Sequence, residues 1–315
     1  MAHPMPAAEA LTGRAVLVTG AGQGLGYAAA LAYARHGAEV ILLDRQVAAL
    51  EAVYDAIVAT GAPTPIAHPL DLAVATPADY TALAAALTDQ VGHLEGLLHN
   101  AAVLEMLTPL AFHPHDTWTH TLQVNLTAPF LLTQACLPLL SAAADSAVLF
   151  TSDACAAHPK GYWGAYGVAK AGADNLALMW AAELSNTPVR VHVLDPGPAR
   201  TEMRLRTHPG APTASWPTPE ALMPAYVALM AATGHPYRGQ RVQAREWMEG
   251  ADRLVADPRG PDARLCRAHG RHRPPLSRPA RAGPGVDGGG GRGHRVGDSA
   301  RQLLTSRPWT PGSGK

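Results

Sequence analysis

Over the first 255 residues, short apolar runs alternate with longer amphipathic segments. Residues 15–19 (AVLVT), 39–43, 66–70, 94–99, 147–151 and 189–194 read as strands. Residues 23–36, 46–60, 77–91, 115–140, 162–185 and 219–232 read as helices. Apolar runs without polar alternation suit strands buried on both faces. Strands separated by helices give βαβ units, and right-handed crossovers make the expected fold a doubly wound parallel α/β sheet. A short run at 241–244 is a candidate last strand. Gly37 and Gly61 stand where helices should end, and Thr218-Pro219-Glu220 reads as a cap, an N1 proline and a first-turn acid.

Composition divides the chain. Of its 315 residues, 47% are hydrophobic, enough for a sizeable core. Residues 256–315 depart from this, with 12 Gly, 8 Pro and 11 Arg and no Glu, Ile or Tyr. That stretch has neither helical nor strand periodicity and is expected to be disordered, or to be the product of a shifted reading frame in a GC-rich gene. The expected organisation is one folded domain over 1–255 and a tail over 256–315. The formal net charge of zero is a sum of unlike pieces: residues 1–255 carry −8 and residues 256–315 carry +8. Any pull on nucleic acid belongs to the tail, which lacks aromatics other than Trp309, so nucleic acid is not an expected partner.

Cys136, Cys155 and Cys266 fit neither a disulfide framework nor a zinc motif. No metal site is expected from the fifteen histidines, because suitably spaced Asp or Cys ligands are missing. The first ten residues lack a basic start and an apolar core, so no signal peptide is expected. No apolar run reaches the ~18 residues of a membrane span. A cytoplasmic protein without membrane contact is the expectation.

Thr19-Gly20-Ala21-Gly22-Gln23-Gly24-Leu25-Gly26 joins the first strand to the first helix. Glycines there allow a tight turn and close backbone approach, and the helix N-terminus offers free N–H groups to a pyrophosphate. Between a buried strand and a helix, this loop points to a dinucleotide and a Rossmann fold. Asp44 ends the second strand and can accept both hydroxyls of an adenosine ribose, or simply cap the next helix. Arg45 beside it suits a 2′-phosphate or stacking on adenine. Because Asp44 would repel a 2′-phosphate, the expected cofactor is NAD, with NADP possible.

Tyr166 and Lys170 lie four apart near the start of a long helix, so both project from one face. A free phenol titrates near ~10, and a neighbouring ammonium is expected to lower it. Lys170 is one of three lysines, with Lys160 and Lys315. A Tyr-x-x-x-Lys spacing is common, and by itself it also describes a surface pair.

Together these residues resemble the short-chain dehydrogenase/reductase family, in its short single-domain subgroup, over about residues 12–245. The Thr-Gly-x-x-x-Gly-x-Gly loop matches Thr19 to Gly26. The adenine-side Asp after the third strand matches Asp71, followed by Leu72. The Asn-Asn-Ala-Gly segment appears as His99-Asn100-Ala101-Ala102. The helix-four Asn matches Asn125, the catalytic pair matches Tyr166 and Lys170, and Pro-Gly with a downstream Thr matches Pro196, Gly197 and Thr201. The resemblance implies an oxidoreductase that interconverts a carbonyl and an alcohol. Tyr166 would move the proton, Lys170 would hold the ribose and depress the phenol, and Asn125 would hold a relay water. It also implies a homodimer or homotetramer built on the helices at 115–140 and 162–185. The segment 202–216, with Met203, Leu205, Arg204, Arg206 and Trp216, would close over a substrate that is either apolar or anionic.

The family's substrate-binding serine precedes the tyrosine by 13 residues, and here that position is Asp153. A one-residue shift brings Ser152 into the seat, and Ser152 is the expected site residue; the alternative occupant is Asp153. An ionised Asp cannot donate a hydrogen bond to a carbonyl oxygen and repels developing negative charge. That substitution also admits a second function, a cofactor-binding but catalytically silent sensor or scaffold.

Overall fold

In the computed structural model of the chain, residues 5–211 and 213–249 are described. Among the described residues, seven strands pair in parallel in the order β3-β2-β1-β4-β5-β6-β7. They are β1 (Ala15–Thr19), β2 (Glu39–Asp44), β3 (Ile66–Pro69), β4 (Gly96–His99), β5 (Ser146–Thr151), β6 (Val189–Asp195) and β7 (Arg241–Gln243). The long connections are α1 (Gly24–Arg35), α2 (Val47–Val58), α3 (Pro77–Val91), α4 (His115–Leu122), α5 (Ala128–Ala142), α7 (Gly164–Glu183) and α9 (Pro219–Met230), with short helices α6 (Ala154–Ala157), α8 (Glu202–Thr207) and α10 (Ala244–Met248). This is the doubly wound α/β architecture that the apolar pattern predicts. The boundary near 255 and the Gly/Pro/Arg-rich tail lie outside the described residues.

Both faces of the sheet are covered. On β1, Val16 and Val18 pack with α1, α2 and α9, while Ala15 and Leu17 pack with α3, α5 and α7. Every residue of β1 is buried, which is why the run shows no polar alternation. Gly37 has φ of 91°, and a Cβ there would sit 2.3 Å from Thr12 Oγ1, so the chain turns out of α1 only as glycine.

The helix expected at 115–140 runs through Ala142 but is not uniform. A π-helical turn, Gln123–Thr127, separates α4 from α5. It turns Asn125 onto the loop after β4, where Oδ1 accepts from Val103 N and Nδ2 donates to Val103 O, each at 2.8 Å. These bonds supply the reason for a widened turn, which adds a residue to the helix without breaking it. The stretch His115–Ala142 is long and apolar enough, by length and composition, to cross a membrane, with hydropathy 1.3. It is not an unbroken apolar run, since Gln123, Asn125 and Gln134 interrupt it, and the core helix of a folded protein passes the same measure. Half of it is buried, with Leu132, Cys136, Leu139 and Leu140 in the core beneath the sheet. The helix expected from 162 begins at Gly164, because Tyr162 takes a left-handed φ of 72°.

β6 breaks the apolar rule. Its Arg190 is wholly buried, and Nε and Nη2 hold the two carboxylate oxygens of Asp145 at 2.8 and 3.0 Å. The same guanidinium donates to the carbonyls of Leu229 and Ala231, which end α9. It thus adds side-chain donors at the end of the helix, where the Ala231 carbonyl also accepts from Gly234 N. Beside it His192 is buried, and burial pushes its imidazole down to about 4. His99, at the end of β4, is bonded to Thr133 at 2.7 Å and its ring lies tilted against Phe150, with centroids 4.5 Å apart; burial, then Lys170, pushes it down to about 3.

Replacing Arg190 by Met would take from Asp145 its two-pronged partner, leaving Arg14 and His235, and would remove a donor from the Leu229 and Ala231 carbonyls. Arg190→Met is expected to cost roughly 3–5 kcal/mol, read as a lower urea midpoint. The two buried histidines set a pH dependence. Below about 6.5 the unfolded chain binds protons on both imidazoles, whereas the native fold does not until about 4 and about 3. Stability should therefore fall as pH drops from 6.5 towards 4, by about 1.4 kcal/mol per pH unit for each imidazole. Urea titrations of wild type and His192→Asn across that range check it, and the variant should show the shallower slope.

Candidate active site

The loops that leave the C-terminal ends of the strands enclose a cleft of about 410 Å³. Such a crevice is where open parallel sheets bind ligands. Gly20, Gln23, Gly24, Leu25, Asp44, Arg45, Asp71, Leu72 and Asn100 line one part. Ser152, Asp153, Tyr166, Lys170, Pro196, Gly197 and Thr201 line the rest. Of the catalytic and cofactor residues expected from the sequence, Gly26 and Asn125 do not line it; of the 202–216 segment, Met203, Arg204 and Arg206 line it and Leu205 and Trp216 do not. Gly26 lies behind the loop, where a Cβ would fall 2.0 Å from Gly20 O and 2.6 Å from Asn100 Nδ2. Asn125 is buried behind Val103.

The glycine loop is pinned by Thr19, whose hydroxyl donates to Leu98 O and accepts from the amides of Asn100 and Ala101. A Cβ on Gly20 would meet Ala101 Cα at 2.8 Å, so β1 and β4 can deliver their loops this close only with glycine there. The twelve-residue α1 starts with no side-chain cap and no first-turn acid. Its free amides therefore face the cleft, the arrangement that holds a pyrophosphate. Asp44 has both oxygens engaged: Oδ2 accepts from Gly22 N at 3.1 Å and Oδ1 from Gln46 N at 3.0 Å. Arg45 is exposed at the same rim. Asp71 Oδ1 accepts from Ala73 N and shapes the turn after β3. These residues fit the adenosine and phosphate parts of a dinucleotide.

Tyr166 and Lys170 stand on the buried face of α7, alongside Ala165, Ala169 and Ala173. Small neighbours let this helix approach the sheet closely. Lys170 Nζ donates to Thr151 O at 2.8 Å and lies 5.7 Å from the Tyr166 ring centroid. Burial, and after it the Asp153 carboxylate, push the Tyr166 phenol well up, while Arg204 opposes them. Burial pushes the Lys170 ammonium down. The sequence predicts a phenol lowered by Lys170. The protein alone acts the other way, because both groups are desolvated and Asp153 adds a like charge to the phenolate.

Ser152 and Asp153 differ in what they touch. The Ser152 hydroxyl donates to Asp174 Oδ2 at 2.8 Å. Asp153 caps α6, with Oδ1 accepting from Cys155 N, and its Oδ2 lies 3.6 Å from Arg204 Nη2. Leu104, Cys155, Trp163 and Tyr166 pack together as the apolar wall here, with Met203 against them. Burial raises the Cys155 thiol, so it stays protonated.

The sequence gives no sign of the network behind this wall. Arg241 on β7 reaches Asp174 on α7 at 3.1 Å, Asp195 at the end of β6 at 2.9 Å, and the carbonyl of Asp153 at 3.2 Å. Asp195 Oδ1 in turn accepts from Gly197 N. One guanidinium therefore joins the Asp153 turn, the Tyr166 helix and the Pro196-Gly197 loop. Its partners lie 46, 67 and 88 residues away in the chain, beyond any local motif. Glu105 and His120, which pair across the cleft rim, are likewise silent in the sequence.

The model of the short chain dehydrogenase family matches residues 14–210. The chain belongs to the short chain dehydrogenase family. The uncharacterized oxidoreductase YciK of Escherichia coli (strain K12) is 36% identical over 228 residues, 72% of this chain and 90% of that protein. A short chain dehydrogenase structure from Pseudomonas syringae is 41% identical with a TM-score of 0.72, over 78% of this chain and 98% of its own. A short chain dehydrogenase from Escherichia coli CFT073, solved in complex with NADPH, is 34% identical with a TM-score of 0.74, over 76% of this chain and 100% of its own. This short chain dehydrogenase is thus an oxidoreductase whose family works with a nicotinamide cofactor.

Arg241→Gln keeps polarity but removes the charge that holds two carboxylates. It is expected to destabilise the fold by roughly 3 kcal/mol or more and to weaken dinucleotide binding, since the Gly197 loop loses its anchor. Denaturant titration with and without cofactor checks this, and Arg241→Lys should recover only part of the loss.

Proposed function

We propose that this short chain dehydrogenase interconverts a small-molecule carbonyl compound and its alcohol, with NADP(H) as cofactor and Tyr166 as the acid/base. The observation that carries this is the placing of Tyr166 and Lys170 on one buried helix face in the same cleft as the glycine loop and the Pro196-Gly197 loop. When bound, the nicotinamide supplies or accepts the hydride.

The chain's own groups do the rest. The amides at the start of α1, with Gln23, Gly24 and Leu25, would take the pyrophosphate. Asp71, Leu72 and Asn100 would flank the adenine side, and Pro196, Gly197 and Thr201 the nicotinamide side. Lys170 would hold ribose hydroxyls while keeping its bond to Thr151. Tyr166 would give its proton to the substrate oxygen in reduction and take it back in oxidation. Asn125, bonded on both amide atoms to Val103, would act through the π-helical turn that it holds open.

NADP(H) replaces the NAD expected from Asp44 alone. The Asp44 oxygens already accept two backbone amides, which leaves them less able to hold ribose hydroxyls. Arg45 is exposed at the rim, where a 2′-phosphate would pair with it. The NADPH complex of a similar dehydrogenase supports the same choice. A homodimer or homotetramer over α5 and α7 remains part of this reading, supported by Phe130 and Met179, which leave apolar surface exposed there.

Cofactor fluorescence titration followed by a panel of aldehydes, ketones and alcohols tests the proposal. NADPH should bind more tightly than NADH, and Arg45→Ala should narrow that difference. Tyr166→Phe should lose about 100-fold or more in kcat with little change in NADPH binding. Tighter NADH binding would return the choice to NAD. A Tyr166→Phe variant as active as wild type would remove the mechanism, and cofactor binding without any turnover would favour the silent reading that Asp153 suggests.

A further inference from the structure

As a carbonyl is reduced, negative charge gathers on its oxygen, and a site that speeds the reaction aims donors at that oxygen. Tyr166 approaches it from one side. The neighbouring turn, where a second donor is needed, supplies none of its own. The Ser152 hydroxyl is committed to Asp174 and lies within 3.5 Å of Arg241. Asp153 in its ionised form only accepts. Left alone, it would oppose the developing charge.

Arg204 changes that balance. It is the third residue of α8, whose start is fixed by the Thr201 hydroxyl accepting from Arg204 N at 3.3 Å. Its neighbour Met203 packs on the Leu104, Cys155, Trp163 and Tyr166 wall. Arg206, two residues on, also borders the cleft, but its side chain is 64% exposed and pairs with Glu202. The Arg204 side chain is only 15% exposed, as is that of Asp153, and the two stand 3.6 Å apart. The guanidinium also acts on the phenol, since Arg204 is the cation that draws the Tyr166 hydroxyl downward.

We propose that Arg204 is the hydrogen-bond donor to the substrate oxygen in this chain, and that Asp153 is the positioning residue that orients its guanidinium. This rests on the carbonyl/alcohol reading above. A guanidinium has five N–H groups, and a carboxylate occupies at most two of them. The remainder are free for the oxygen. Arg204 keeps its protons throughout; the proton that ends on the oxygen is that of Tyr166. The pair carries no net charge, so the Asp153 carboxylate no longer opposes the charge that gathers on the oxygen. A carboxylate where a donor is required and the basic residue facing it from α8 then form one device.

The experiment is a cycle of Arg204→Gln, Asp153→Ser and the two together, assayed with a substrate found in the panel. Arg204→Gln should lower kcat about 100-fold while NADPH dissociation stays within about 3-fold. The double variant should regain at least about 10-fold over Arg204→Gln, because a serine hydroxyl supplies a donor where Asp153 stood. Arg204→Gln within about 3-fold of wild type in kcat, or an equal loss in both backgrounds, overturns the assignment. A binding arm needs no turnover. Butyrate, whose carboxylate stands in for the charged oxygen, is titrated onto the NADPH-loaded protein by calorimetry. Its dissociation constant should rise at least about 10-fold in Arg204→Gln, and an unchanged constant also overturns the assignment. Tyr166→Phe separates the two failures. If it is inactive while Arg204→Gln is active, only the role of Arg204 falls; if it turns over like wild type, the reading of the whole site falls.

Discussion

The strands at the centre of this sheet are buried on both faces, so they offer a ligand nothing along their length. Polar groups can gather only where the strands stop. The close approach of those strand ends then decides what the site can be. Thr19 ties the loop after β1 to the loop after β4, and Gly20 lets Ala101 come within reach of its α-carbon. The helix that follows this loop, α1, begins with no side-chain cap, and Gly24 and Leu25 at its start line the cleft.

Charge in the cleft follows a similar economy. Four ionisable groups, Asp153, Tyr166, Lys170 and Arg204, share a wall that is largely apolar. In such surroundings each one is felt by the others. Desolvation raises the phenol and lowers the ammonium, so the protein alone holds both closer to their neutral forms. Whatever poises Tyr166 for proton transfer must come from the groups that arrive or turn towards it, with Arg204 already acting in that direction.

The fold was largely legible because its signals are local. Apolar runs such as residues 15–19 carry their own burial pattern, and turns such as Gly37 carry their own backbone demand. The place of Asp44 at a strand end and the one-turn spacing of Tyr166 and Lys170 on a helix are readable for the same reason, whereas Asp71 was reached through the family resemblance. Orientation was not legible. Spacing alone does not show that the Ser152 hydroxyl turns to Asp174 while Asp153 turns to Arg204. That choice depends on Arg241, 88 residues beyond Asp153. Arg190 in the middle of β6 was hidden too, because its partners Asp145 and the end of α9 come from distant segments. The π-helical turn within 115–142 has no periodicity of its own, since it exists to satisfy Val103.

The place of Arg241 has a consequence for the order in which the protein comes into being. Among the described strands β7 leaves the ribosome last, after the glycine loop, the Tyr166 helix and Asp195 have all been made. Until it docks, Asp174 and Asp195 lack the cation that neutralises them, and the turn bearing Asp153 lacks its anchor. A nascent chain can therefore collapse around most of its core while the catalytic end of the sheet stays electrostatically incomplete. Docking of three residues at the sheet's edge is the event that closes it.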